Sequence, residues 1–276
     1  MMSVGTEFLA LDLGATKLAY CKSVTAMLPN VDRIELPRCG RADEEFAALS
    51  GRLESLPPVS GVPVICVAPS LNAAGQVLSW PNRPYWKGFP LIASLEKLLG
   101  TKVRWLGDGE AAALANAGDQ RGLSYVSLQF GTGVGGAIVC NGQVLRLGPI
   151  NCELGHIIVD GGGPICTCGA RGCLQAVWQG YCRGEISLER LLDLLAVMIA
   201  NLARIFPGSQ ITLGGRIFDV DGKDVDGKLV QYLARGVRAS CPQEEWLPTI
   251  RTSVFGPNAP IAGALREAVR LGNEHV

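Results

Sequence analysis

Histidine is almost absent from this sequence, with His156 and His275 alone among 276 residues, so any imidazole chemistry falls to one of those two positions. A surplus of charge is missing too. Lysine plus arginine and aspartate plus glutamate number 25 each, and nothing in that balance draws the whole molecule onto nucleic acid or an anionic membrane. The opening MMSVGTEFLALDLG has neither a basic stretch ahead of an apolar segment nor a small-residue cleavage site, the marks of a secretory signal. The expected location is therefore cytoplasmic. No apolar run reaches membrane-spanning length unbroken. ISLERLLDLLAVMIANLARIF is interrupted by Glu189, Arg190, Asp193 and Arg204, and reads as an amphipathic helix with Ser187 as its N-cap. Short-period repeats and low-complexity linkers are also missing.

Glycine and cysteine are plentiful instead. The 35 glycines are nearly double the roughly 7% of an average chain and gather in short clusters between apolar runs, as in tight loops approached by ligands. Ten cysteines in a small secreted chain would mean disulfides. In a longer chain without a signal, the tight group Cys166, Cys168 and Cys173, just downstream of His156, points to metal, the alternative being reduced thiols on a loop. The other seven, including Cys66 and Cys140 in apolar runs, are expected as small core residues. The length can bury a substantial core and suits two lobes.

FLALDLGATKLAYC and YVSLQFGTGVGGAIVCNGQVL each read as two strands around a glycine turn. Between them the pattern predicts a helix around 43–56, the strand PVICVA, the loop SWPNRPYWKGFP, a helix around 91–99 and the strand VRWL. That strand runs into GDGEAAALANAG, where an acidic residue at a strand end meets an alanine-rich helix. Later come the helix after Ser187, the strand QITL ending at Gly214 and Gly215, and a last helix around 260–271. The paired glycine hairpins indicate two related halves. A glycine turn between strands presents backbone N–H groups to phosphate oxygens, while Asp12 can hold hydrated magnesium and Thr16 can donate a hydroxyl. An ordinary hairpin explains DLGAT alone equally well. FGTGVGG, with Gly131, Thr132 and Gly133, repeats the chemistry.

DLGATK, GDGEAAAL, FGTGVGG, ELGH, the C-x-C-G-x-x-G-C run and LGG occur in the order found in ROK sugar kinases, members of the actin-like ATPase superfamily, which the chain resembles along nearly its entire length. The resemblance implies a two-lobe α/β fold of the actin-like, ribonuclease H-like kind with a zinc-binding loop. It implies a small lobe over 1–109 with sugar and phosphate contacts, a large lobe over 110–258, and a C-terminal helix over 259–276 returning to the small lobe. It implies structural Zn2+ on His156, Cys166, Cys168 and Cys173, a closed tetrahedral set with no position left for a catalytic water. ATP and Mg2+ would be held by Asp12, Gly14, Thr16, Lys17, Gly131, Thr132, Gly133, Gly214 and Gly215. Asp108 would be the catalytic base for transfer to a sugar's primary hydroxyl. Asn82, Glu153, His156 and Gln175 would contact the sugar, and homodimerisation follows from the resemblance alone.

Three positions depart from the family pattern. Gly107 stands where Asn usually precedes the catalytic Asp, Gln175 replaces a usual Glu, and Arg83 replaces an apolar residue, adding a cation near the expected sugar site. A pocket built for one set of hydroxyls rejects another, so the expected substrate is an altered hexose, for example an amino sugar such as kanosamine or N-acetylmannosamine, or a cyclitol. The stretch between Gln175 and QITL is shorter than the family generally carries, which bears on the adenine pocket. The rival expectation is a non-catalytic sugar-binding regulator. Such repressors carry a helix-turn-helix ahead of the DLGAT strand, and only a handful of residues precede it here.

Overall fold

The computed structural model describes residues 7–54, 61–118, 122–146, 152–215, 217–218 and 227–274. In chain order the strands are β1 (Phe8–Leu13), β2 (Lys17–Ser23), β3 (Asp32–Glu35), β4 (Val64–Val67), β5 (Ser70–Leu71), β6 (Val77–Ser79), β7 (Arg104–Gly107), β8 (Ser124–Phe130), β9 (Val134–Cys140), β10 (Gln143–Val144), β11 (Gln210–Gly215) and β12 (Thr249–Thr252). The helices are α1 (Ala42–Leu53), α2 (Leu91–Leu99), α3 (Asp108–Ala117), α4 (Leu174–Cys182), α5 (Leu188–Ile205), α6 (Lys228–Ser240) and α7 (Ala259–Glu274). The chain divides into two compact units, 1–111 with 260–276, and 112–259.

In the first unit the sheet order is β3-β2-β1-β4-β7. β1 and β2 form an antiparallel hairpin closed by the pair Leu13 and Leu18, whereas β1, β4 and β7 run parallel. Leu9, Leu11 and Leu13 alternate along β1 and join one core cluster with Ile65, Val67, Trp80, Trp86 and the buried faces of α1 and α2. The period of two brings them to one face of the sheet.

The second unit repeats the plan with the order β10-β9-β8-β11-β12. β8 and β9 make the antiparallel hairpin, and β8, β11 and β12 run parallel. Val126, Leu128 and Phe130 pack with Ile211 and Leu213 and with Leu191, Leu195, Met198, Ile199 and Leu202 of α5. Those helix positions recur every three or four residues and make the apolar stripe of an amphipathic helix. The Ser187 hydroxyl accepts from the Arg190 N–H at 3.2 Å and caps it as expected. No helix among the described residues is long and apolar enough to cross a membrane.

Several details differ from the sequence reading. α1 ends at Leu53, and 55–60, where its expected end falls, lie outside the described residues. α4, which contains Gln175, has no counterpart among the expected elements, whereas α5 is the helix expected after Ser187. Of the seven cysteines assigned to the core, Cys21, Cys66 and Cys241 are buried, Cys140 and Cys152 are half-buried, and Cys39 and Cys182 are exposed.

Candidate active site

Parallel strands leave their carboxyl ends free to carry loops, and open α/β sheets bind ligands there. In the first unit Asp12 lies one residue from the end of β1 and pairs across the ladder with Cys66 of β4, which itself pairs with Leu106 of β7. Asp108 follows β7 and opens α3. The two acids sense one another. Burial pushes the Asp12 carboxyl up to about 6, the negative charge of Asp108 adds to the rise, and a hydrogen bond from the Cys66 thiol opposes it. Burial also drives the Cys66 thiol well above its ordinary range, with the charges of Asp12, Asp108 and Glu110 acting in the same direction. Cys66 is thus a protonated donor to Asp12.

The side chain of Asp108 is exposed, and one of its oxygens accepts the Gly109 N–H at 2.7 Å. Glu110, 3% exposed, reaches back to the Gly107 N–H at 2.8 Å. An acid three positions into a helix that holds the amide before it is half of a capping box. Glu110 therefore sets the strand-to-helix corner from which Asp108 projects.

The hairpin after β1 turns through Gly14, Ala15 and Thr16, closed by the Gly14 N–H donating to the Lys17 carbonyl at 3.0 Å. Thr16 and Lys17 are exposed. Gly131, Thr132 and Gly133 make the equivalent turn after β8, closed by the Gly131 N–H to the Gly133 carbonyl at 2.9 Å. Gly214 and Gly215 end β11 beside Gln129 and Phe130. Asn82 is exposed, and its carbonyl accepts from Arg38 Nη2 at 2.9 Å.

Arg83 departs from the expectation of a cation at the sugar site. It is 2% exposed, and its guanidinium donates to the carbonyls of Ala15 at 2.7 Å, Pro37 at 2.8 Å and Leu36 at 3.0 Å and pairs with the wholly buried Glu45. Four of its five N–H groups are thus engaged inside the protein, and the guanidinium is enclosed rather than presented to a ligand.

In the second unit His156, Cys166, Cys168 and Cys173 bring one ligand atom each within 4.8 Å of one another. His156 Nδ1 lies 3.5 Å from Cys166 Sγ, and Cys168 Sγ lies 3.7 Å from Cys173 Sγ. With Zn–S near 2.3 Å and Zn–N near 2.0–2.1 Å, the edges of a tetrahedron are about 3.6 Å for N to S and about 3.8 Å for S to S. The donor set fits zinc in its chemistry, and these two edges match the tetrahedral spacing. Burial, reinforced by the neighbouring thiols, pushes the Cys173 thiol up to about 12, so without a dication this buried thiol keeps its proton. Gly172 makes the loop possible. Its φ is +76°, and a Cβ there would collide with the Asp160 carbonyl.

The same loop carries the neighbouring sugar candidates. Gly155, before His156, lies so close to the Val134 carbonyl that a Cβ would overlap it. Glu153 is exposed and begins the short 3-10 turn that ends at His156. Cys173 is the N-cap of α4, and that helix meets the second glycine hairpin: Trp178 Nε1 donates to the Gly131 carbonyl at 3.1 Å, and Gln175 Oε1 accepts from the Val134 N–H at 3.4 Å. The cysteine loop, the His156 turn and the FGTGVGG hairpin are thereby one packed assembly.

Residues 9–182 match the ROK family. The chain is 34% identical over 184 residues to a kanosamine kinase of Amycolatopsis mediterranei, a segment that is 64% of this chain and 61% of that one. It thus spans about three fifths of the length of that curated relative. The ROK hexokinase structure from Thermus thermophilus superposes with a TM-score of 0.81 at 24% identity, covering 97% of this chain and 99% of that one. A ROK family transcriptional regulator, described as a homologue of the E. coli MLC protein, superposes at 0.76 with 23% identity, covering 98% of this chain and 80% of that one. The mixed sheets are those of the actin-like ATPase fold as ROK structures display it.

Proposed function

The chain belongs to the ROK family, and from that membership we propose that it is an ATP-dependent kinase acting on the primary hydroxyl of a hexose-type sugar. The observation that carries the reading is the acid pair at the carboxyl ends of β1 and β7, with Asp12 raised to about 6 by burial and by Asp108. A phosphoryl acceptor needs a group to take its proton as the new bond forms. In this reading Asp108 is that group, since its carboxylate is exposed on a helix corner fixed by Glu110. Asp12 holds hydrated magnesium, a hard cation suited to carboxylate oxygen. Magnesium when bound neutralises charge on the phosphates. The turn amides of residues 14–16 and 131–133, with the hydroxyls of Thr16 and Thr132, supply donors for phosphate oxygens, and Gly214 and Gly215 border the nucleoside.

His156 and the three cysteines hold structural zinc, which fixes the His156 turn. With Nδ1 at the cysteine cluster, Nε2 serves a sugar hydroxyl, and Glu153 accepts from another. Gly107 in place of a family Asn removes one hydroxyl contact, and we assign the substrate to the amino sugars, which matches the name of the Amycolatopsis relative. The test is ADP release from ATP and magnesium across hexoses, amino sugars, N-acetylated amino sugars and cyclitols. Turnover on an amino sugar supports the reading. Plain glucose as clearly the best acceptor removes the amino-sugar assignment, and binding of a sugar without turnover across the panel replaces the kinase with a sugar-responsive regulator.

A further inference from the structure

The Arg83 guanidinium lies among segments far apart in sequence. Nε donates to the carbonyl of Ala15 in the DLGAT turn, Nη2 to Leu36, and Nη1 to Pro37 and to Glu45 of α1. Its Cζ sits 5.7 Å from the centre of the Trp80 ring. Glu45 is held in turn by Trp86 Nε1 and the Tyr85 hydroxyl, each at 2.7 Å, and by the Cys39 N–H at 2.9 Å and the Gly40 N–H at 3.2 Å. Two further bonds close the ring: the Leu36 N–H donates to the Thr16 carbonyl at 2.9 Å, and Arg38 Nη2 donates to the Asn82 carbonyl at 2.9 Å. The carbonyls of Ala15 and Thr16 in the phosphate-type turn, and the residue beside Asn82, are therefore tied to one buried ion pair.

We infer that Arg83 is a positioning residue that couples the DLGAT turn to the Asn82 loop through the Ala15 carbonyl, so that the two candidate ligand loops of this unit keep one relative geometry. The fork geometry makes arginine specific for the task. Guanidinium presents five N–H donors in a fixed plane, and here they serve the three carbonyls and Glu45 together; a lysine ammonium in the same place keeps the charge for Glu45 but has only three donors on a flexible stem. A purely structural ion pair has another signature. Replacing both charges of a buried pair with apolar groups is often neutral for stability, whereas removing one partner is not.

Arg83→Lys and the double variant Arg83→Met with Glu45→Leu separate these cases. The inference rests on the kinase reading only for its kinetic arm. Hydrogen exchange in the unliganded protein supplies the other, with the amides of residues 14–17 and 36–40 compared against β8, β9 and β11. In the double variant, folded by circular dichroism, exchange at 14–17 should rise about tenfold, the scale of a lost charge-assisted hydrogen bond, with no change in the second unit. In Arg83→Lys the same residues should exchange faster, kcat should fall about tenfold, and KM should rise for nucleotide and acceptor together. Parent-like exchange at 14–17 in the folded double variant overturns the inference, as does a Lys variant with kcat and both KM values within twofold of the parent. If the parent phosphorylates no sugar, the kinase reading fails and the exchange result alone decides the role of Arg83.

Discussion

Asp12→Asn should make the unliganded protein more stable at neutral pH, because the carboxylate carries a burial penalty that function requires and folding does not. The Asp12 carboxyl moves from 3.8 to about 6 on folding. Each tenfold change in proton affinity is about 1.4 kcal/mol, so the shift corresponds to about 3 kcal/mol. Its sign follows from linkage. A group raised by folding binds its proton more tightly in the native chain, so its stabilising contribution is complete below about pH 4 and is lost as pH rises through about 6. Asparagine has the same shape, carries no charge at any of these pH values, and keeps a carbonyl oxygen for the Cys66 thiol. Without magnesium, the variant should therefore melt higher than the parent at pH 8 by about 5 to 10 °C, the scale of 2–3 kcal/mol in a chain of this size. The gap should shrink to roughly a third at pH 4.5. Magnesium with nucleotide should raise the melting point of the parent at pH 8 and leave that of the variant nearly unmoved. A variant that melts below the parent at pH 8, or a gap that does not depend on pH, would refute the burial argument.

Two other expectations follow from the buried groups. Metal analysis should find about one zinc per chain. Cys173→Ser should abolish it and lower the melting point, with proteolysis or exchange showing loosening at the 153–156 turn and, through Trp178 and Gln175, at the 131–133 hairpin; an unchanged hairpin would break the proposed assembly. Burial pushes Glu45 up, but the bonds from Trp86, Tyr85, Cys39 and Gly40 outweigh it and hold the carboxyl at about 2. Its stabilisation is then present above about 4.5 and lost as pH falls toward 2. Glu45→Gln should cost about 3–5 kcal/mol at pH 7, the usual cost of leaving a buried charge unpaired, and the gap to the parent should shrink by roughly half at pH 3, on the way to the folded value of about 2; urea titration at pH 7 and pH 3 measures both.

The parts legible in the sequence are those with local cause. The glycine hairpins announce themselves by apolar alternation around Gly14 and Gly131, the cysteine cluster by its spacing, and α5 by its stripe and Ser187 cap. β3 (DRIE) and β12 (TIRT) are polar sheet edges, and tertiary pairing rather than composition makes them strands. α6 hides its Leu229, Leu233 and Val237 stripe behind glycines at 227 and 236, poor helix formers. The site divides along the same line. Glu110 could be found from its position three residues after Gly107, as a capping partner. Arg83 is misleading because its partner Glu45 lies 38 residues away, and a cation in a polar loop looks exposed until the chain closes around it. Cys66 likewise becomes a partner of Asp12 only through the parallel register of β1 with β4.

The central claim is that Asp108 takes the proton of a primary hydroxyl during phosphoryl transfer. The most direct test follows transfer of labelled γ-phosphate from ATP to the best acceptor of the panel and to its analogue lacking the primary hydroxyl, in the parent and in Asp108→Asn. The account predicts label on the acceptor alone, none on the deoxy analogue, and a rate at least 10²-fold lower in the variant, roughly the range removed with a general base, with acceptor binding by calorimetry little changed. Transfer to the deoxy analogue, or an Asp108→Asn rate within a few-fold of the parent, would contradict it.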